Sequence, residues 1–401
     1  MNVVEPPLKG ITVVDISSSY AAPTASMFLG DMGADVIKIE PIRGDDARTW
    51  GPPFINGEAA WFLSVNRNKR SLCLDIRDEP GRAILFKLLE RADVFIENLN
   101  PAKLERHGLA LDALRERFPR LVICAMSGFG MDGPDSHLPG YDLIAQARSG
   151  MMSVTGEDGV PTRVSTALSD VAAGMVASFA ITSALVRQQR TGVGEVVDVA
   201  LLEADLAFMA PRIASYLAGE EEPRPSGGRD SVVAIYQRFD TADRPIVVAV
   251  GNDRLWLKAC AALGLGHLAA DPDLATNAGR RARRDEVVDE FQVVLAQMGS
   301  AEALTALQDA GVPCSTIKSI SEVVSDPQVL ARQAIYEQDH PVAGPVKLVS
   351  SPWLLHSMRE ARTSHTPAPG RGEHGRQILG ELGLDEDRID QLMKDGVVWA
   401  T

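Results

Sequence analysis

Apolar positions along the first two hundred residues fall into two alternating kinds of run. Short, continuous, β-branched runs occur at 10–16 (GITVVDI), 35–40 (DVIKIE), 71–76 (SLCLDI), 92–99 (ADVFIENL) and 121–130 (LVICAMSGFG). Such runs suit strands buried on both faces of a parallel sheet. Between them lie helix-like stretches: 22–33 stops at Gly33, and 78–91 carries Pro80 in its first turn. Strands separated by helices predict an α/β fold with a Rossmann-like large domain.

The pattern changes near 219–230 (GEEEPRPSGGRD), where acid, Pro and Gly predict a linker or exposed loop. Strand-like runs follow at 231–239 and 244–251, then helices starting near Asn252, Arg283 and Ala301. The tail predicts two short amphipathic helices joined by a Gly turn. The chain is therefore divided into a large α/β domain at 1–205, a linker at 206–228, a smaller α+β domain at 229–320, and a return to the large domain at 321–401. Its 401 residues exceed what one core usually holds.

One helical run stands apart. Asp170 heads sixteen residues, 171–186, without a charge. The run is short of the ~20 residues that span a bilayer and is rich in Ala, Ser and Thr, so it reads as a buried helix. Ser169 or Asp170 could cap it by bonding its first free N–H groups. Asp170 could equally be a nucleophile: the positive end of the helix would keep it ionised, and a positioned carboxylate can attack a carbonyl carbon. The residues alone leave both open.

Composition narrows the chemistry. A net charge of −14 argues against nonspecific binding to nucleic acid or anionic membrane. Cys73, Cys124, Cys260 and Cys314 are far apart with no CxxC spacing, so neither a zinc cluster nor a disulfide framework is expected, and a reducing cytoplasm is the simpler setting. The N-terminal MNVVEPPLKG has acid and proline where a secretory leader needs a basic start and an apolar core. No GxGxxG follows the first strand. GxxxxGK[ST], HExxH and GxSxG are also absent, which disfavours nicotinamide or P-loop nucleotide binding, zinc hydrolysis and α/β-type serine hydrolysis. No metal is expected.

Basic residues nevertheless gather in the α/β half. NRNKRS (66–71) is followed by Arg77, Lys103 and Arg106. These are a solvated face or the lining for a polyanionic ligand, since loops at strand ends of such sheets bind phosphates. Tyr141, in GYDLIAQARSGMMSVTG (140–156), is a core aromatic or a hydrogen-bond donor in a cleft.

In joint order, LKGITVVDISSSYAAPTASMFLGDMGADVIKIEPIRGDDAR, NRNKRSLCLDI, ADVFIENLNPAKLERHG, SGFGMDGP, GYDLIAQARSGMMSVTG and SDVAAGMVASFAITSALVRQQRTGVGEVVDVALLEA resemble the class III coenzyme A-transferases. That family includes formyl-CoA and carnitine CoA-transferases and α-methylacyl-CoA racemases. The resemblance implies that Asp170 is the catalytic nucleophile, passing through aspartyl anhydride and aspartyl-CoA thioester intermediates. Coenzyme A, with about four negative charges, would be substrate and not a permanent cofactor. Ser19 and Tyr20 would lie beside its thiol arm. Leu74, Arg77, Asn98, Leu99 and Arg106 would line the nucleotide part, Arg43 would serve near the adenine, and Tyr141 would approach Asp170. Tyr20 stands where formyl-CoA transferases often have Gln, and Ile42 where they have a basic residue. The family's homodimer of interlocked rings is implied, as is an acyl-CoA and a carboxylic acid as partners. Gly-rich 226–229 is either a loop at the active-site mouth or a plain turn. The rival implied activity is racemization, which needs acid/base groups on both faces of the α-carbon. Racemase-like members carry His where this chain has Tyr141, and a phenol with pKa near 10 is a poor proton acceptor. A catalytically silent CoA-binding homologue is the third reading.

Overall fold

The computed structural model describes residues 5–401. Residues 1–4, which open both the N-terminal stretch and the first expected domain, lie outside the described residues. The described chain forms two compact units. One comprises residues up to Met151, Val164–Pro211 and Pro327–Thr401; the other comprises Met152–Arg163 and Arg212–Asp326.

The large unit is built on a seven-stranded sheet. Its order is Val196–Ala200, Val122–Ser127, Val94–Glu97, Thr12–Asp15, Asp35–Glu40, Lys69–Leu74 and Val398–Trp399. Six strands are parallel, and the two-residue C-terminal strand adds antiparallel to Lys69–Leu74. In chain order the six parallel strands run 3-2-1-4-5-6, the doubly wound Rossmann arrangement. Apolar clusters cover both faces. Val14, Ile37, Leu72, Phe95 and Ile123 pack on one side, and Val13, Val36, Val94, Ile96 and Cys124 on the other. This is the alternation that a strand buried on both faces requires.

Leu168–Thr191 is the longest helix. By length and composition it could cross a membrane, yet half of its most apolar window is buried here. It lies against the first helix, Ala21–Asp31, and a Cβ added at Gly174 would come within 2.8 Å of Ala21 O and Thr24 Cβ. The next helix, Leu201–Leu217, occupies the first half of the stretch expected to be a linker from 206; Pro211 is accommodated within it.

The smaller unit carries the antiparallel sheet Tyr236–Phe239, Ile246–Ala249 and Cys314–Thr316. These strands are shorter than the apolar runs suggest. Helices Asp253–Ala262, Arg284–Leu295 and Ser300–Asp309 pack on it around Trp256 and Phe291. Asn252 caps the first of them by accepting from Leu255 N at 2.9 Å. In the tail, Gly375–Glu381 and Glu386–Lys394 are the two expected helices, with Gly383 in the left-handed region between them.

Candidate active site

In a doubly wound sheet, ligands bind outside the C-terminal ends of the strands where the order reverses. Here the reversal falls between Thr12–Asp15 and its neighbour Val94–Glu97. The two loops that leave those strands are tied together: Ser18 N donates to Asn98 Oδ1 at 3.2 Å, and Asn98 Nδ2 donates to Ser18 O at 2.9 Å. A crevice of about 230 Å³ opens at this place. Ser19, Asn98, Leu99, Tyr141 and Asp170 all line it. Five of the ten residues singled out from the sequence, spread over 150 positions, therefore meet at one site.

The loop bearing Ser19 is held from below. Ser19 is a non-glycine residue at φ 74, a conformation that must be supported by its surroundings. Its N–H donates to Asp45 Oδ1 at 3.1 Å, and Asp45 is ion-paired with Lys38 at 2.7 Å, both side chains being buried. Lys38 Nζ also donates to Ser17 O at 3.0 Å. Burial opposes the Lys38 charge, but Asp45, Asp15 and Glu40 outweigh it and raise its pKa. The neighbouring Lys69 is pushed down to about 7 by burial, with Lys38 adding repulsion and Asp15 opposing.

Asp170 does not cap its helix, and neither does Ser169. The helix starts at Leu168 with Ala167 at the cap position, so Asp170 sits inside the first turn, half-buried. The capping group comes from elsewhere: Asp142 Oδ1 accepts from Ser169 N at 2.8 Å, and Gln146 Nε2 donates to Asp142 Oδ2 at 2.8 Å. The Ser169 hydroxyl donates instead to Asp205 Oδ2 at 2.7 Å. Burial raises the pKa of Asp205, and Asp142 raises it further. Asp170 thus keeps its place near the positive end of a long helix while another carboxylate does the capping.

Tyr20 is coupled to the same site but turned away from the crevice. Its hydroxyl lies 3.0 Å from Ser64 Oγ, and its ring meets Trp61 edge-on at 5.1 Å. Burial raises its pKa, and the Asp170 charge raises it further. The other sequence candidates lie outside the crevice. Arg77 is exposed and paired with Asp75 at 2.5 Å. Arg106 is exposed at the end of helix Pro101–Arg106. These two, with Arg82, surround His107 and, after burial, lower its pKa, so three guanidiniums share one small region. Arg43 is exposed and paired with Asp46 at 3.0 Å. Leu74 is a core residue, 2% exposed, leaving its side chain no access to a ligand. Gly227 and Gly228 of the Gly-rich turn line a separate cavity over the small sheet.

Trp50, Asn100, Lys103, Ser127 and Gly128 also line the crevice and were not identified as site residues from the sequence. Gly128 is there for space: a Cβ on it would stand 2.5 Å from Gly140 Cα, and one on Gly140 would stand 2.3 Å from Gly128 Cα. The signal for Asn100 and Ser127–Gly128 was their position at or just past strand ends. Lys103 belonged to the basic group of the α/β half, and Trp50 carried no local pattern.

A Rossmann-type sheet with a helix-borne carboxylate at its switch-point crevice defines an α/β enzyme suited to acyl chemistry. Comparison with known proteins makes this specific. The family model of CoA-transferase family III matches residues 8–375. Mouse succinyl-CoA:glutarate CoA-transferase is 39% identical, covering 98% of this chain and 90% of its own length. The succinate–glutarate CoA-transferase of Agrobacterium fabrum is 38% identical over 94% of this chain and 96% of its own. The crystal structure of a CAIB/BAIF family protein from Brucella suis superposes with a TM-score of 0.80 at 36% identity, covering 94% of this chain and all of that one. The chain belongs to CoA-transferase family III.

Proposed function

We propose that this protein moves coenzyme A from an acyl-CoA, such as succinyl-CoA, to a carboxylic acid, with Asp170 as nucleophile. The observation that carries this is the half-buried Asp170 carboxylate in the first turn of a long helix, lining the strand-end crevice. A carboxylate oxygen of Asp170 attacks the thioester carbonyl. The C–S bond breaks, CoA leaves as thiolate, and an aspartyl anhydride remains. The thiolate then attacks the aspartyl carbonyl, expelling the donor acid and leaving an aspartyl-CoA thioester. The acceptor carboxylate repeats the first attack on that thioester, and the thiolate takes the acceptor acyl group, regenerating Asp170. No electrons are exchanged, so the cycle itself calls for no redox cofactor.

The Arg77, Arg82 and Arg106 cluster is suited to the phosphates of CoA in a chain that is otherwise acidic. Leu99 and Asn98 would border the nucleotide, Ser19 the thiol arm, and Arg43 the adenine side. Leu74 could contribute only through its backbone. Dicarboxylic acids are the favoured substrates because the relatives above are named for succinate and glutarate. Racemization is disfavoured because Tyr141 replaces the histidine of racemase-like members. A homodimer of interlocked copies is supported by the family resemblance and by Val176, Phe179 and Val186, left exposed on the Leu168–Thr191 helix. A reducing, cytoplasmic setting is consistent with four free cysteines.

The decisive experiment uses Asp170→Asn. Transfer of CoA from succinyl-CoA to glutarate should fall by about 10³-fold or more, while acyl-CoA binding persists. Incubation of the wild type with hydroxylamine and acyl-CoA should yield a modified Asp170 peptide by mass spectrometry. Turnover retained in the variant, or rapid α-deuteration in D₂O without transfer, would refute the assignment.

A further inference from the structure

The crevice has a neighbour. A second cavity, of about 500 Å³, is lined by Tyr20 and by Val171 and Met175, which follow Asp170 on the same helix. That volume is typical of small-molecule sites. Met27 and Phe28 of the first helix add to its apolar wall. Tyr20 lines this cavity, and its neighbour Ser19 lines the crevice.

The cavity wall also carries positive charge. Arg332 and Arg362 both line it. Arg362 is half-buried; Nη2 donates to Ser351 O at 3.0 Å and Nη1 donates to Arg332 O. Its Nε is buried and has no hydrogen-bond partner among the described residues. Burial lowers its pKa, and the charges of Arg332 and Arg359 lower it further. Among the described residues no carboxylate forms an ion pair with Arg332 or Arg362. The third arginine of the cavity, Arg67, is already satisfied by Asp31 at 2.6 Å. Two arginines without a carboxylate partner among the described residues, lining a chamber with apolar walls, suit an anionic ligand.

We infer that this cavity receives the acid moiety of the substrate, its hydrocarbon chain against Met27, Phe28 and Met175 and its far carboxylate on Arg332 and Arg362. A small dicarboxylate is the ligand this chamber selects: a monocarboxylate would fill the apolar part and leave both arginines unpaired. The inference rests on the transferase reading, in which the other carboxyl group exchanges with Asp170.

The test combines turnover and binding. With succinyl-CoA as donor, Arg332→Ala and Arg362→Met should each raise KM for glutarate about 10- to 100-fold, and leave KM for pentanoate within about threefold. Calorimetric titration reports the site without turnover. The wild type should bind glutarate more tightly than pentanoate, and Arg332→Ala, at an exposed position, should erase the difference. Equal loss of both acids, or loss of neither, overturns the inference. Selective glutarate binding that needs Arg332, in a wild type that transfers CoA to no acid, keeps the site and overturns the transferase reading instead.

Discussion

Glu97 shows how a single side chain can report on the crevice floor. It ends its strand fully buried, accepts from Leu99 N at 2.7 Å through Oε2, and has no partner for Oε1 among the described residues. Burial pushes its pKa up to about 8, with the Leu99 N–H opposing and Asp198 adding to the rise. The unfolded chain ionises this group near 4.5. Between those values the unfolded state holds fewer protons, so stability is present at low pH and falls as pH rises, by at most ~1.4 kcal/mol per unit. Glu97→Gln should flatten that decline, read as urea midpoints at pH 5 and pH 8; equal slopes in both proteins would contradict it. Asp170 was legible because a lone carboxylate before an apolar run is conspicuous. Its capping partner was not, because Asp142 lies 28 positions earlier and reaches Ser169 only through the fold. The adjacent Ser169 and Asp170 imitate a local cap, and nothing in their own sequence reveals that the Ser169 hydroxyl is bonded to Asp205 instead.

The Leu168–Thr191 helix is legible in the sequence as an element, but its two faces are not. Ala172, Ala173, Ala177, Ile181, Ala184 and Leu185 are buried, while Met175, Val176 and Phe179 are exposed, Phe179 to 75%. A helix apolar on all sides has no polar stripe to mark its outer face. What fixes the inner face is the close approach at Gly174. Gly174→Val should destabilise the protein by about 1–3 kcal/mol, because backbone and Thr24 atoms occupy the space. Gln189→Ala, on an exposed position of the same helix, should stay within about 0.5 kcal/mol. Thermal denaturation of both variants checks the pair, and similar melting points would remove Gly174 from that role. The antiparallel hairpin Ile335–His340 and Gly344–Val349 has no matching signal in the sequence. Its charged and polar residues, with Pro345 at the turn end, break the apolar alternation that marks a strand.

At the scale of the molecule, each unit owns a core. Trp256, Phe291, Phe239 and Leu307 are fully buried within the smaller unit. The charge, Pro and Gly near 219–230 fall inside that unit, whose longer stretch begins at Arg212 rather than at the expected 229. The 152–163 segment, which clusters with that unit, gave no such signal, since it is a short excursion inside the large domain's stretch of chain. A fragment spanning 212–326 should unfold cooperatively by itself, with Trp256 fluorescence shifting to the red in a single transition; a featureless melt would show that the core needs the rest of the chain. The large unit, by contrast, is assembled from separated stretches, and the strand Val398–Trp399 pairs with Lys69–Leu74. On a ribosome, the inserted unit is fully synthesised while the large sheet still lacks one edge. Synthesis from the N-terminus therefore hands the small unit a head start on the last edge of the large sheet, whereas the residues that line the reactive crevice all precede that edge and the 212–326 stretch.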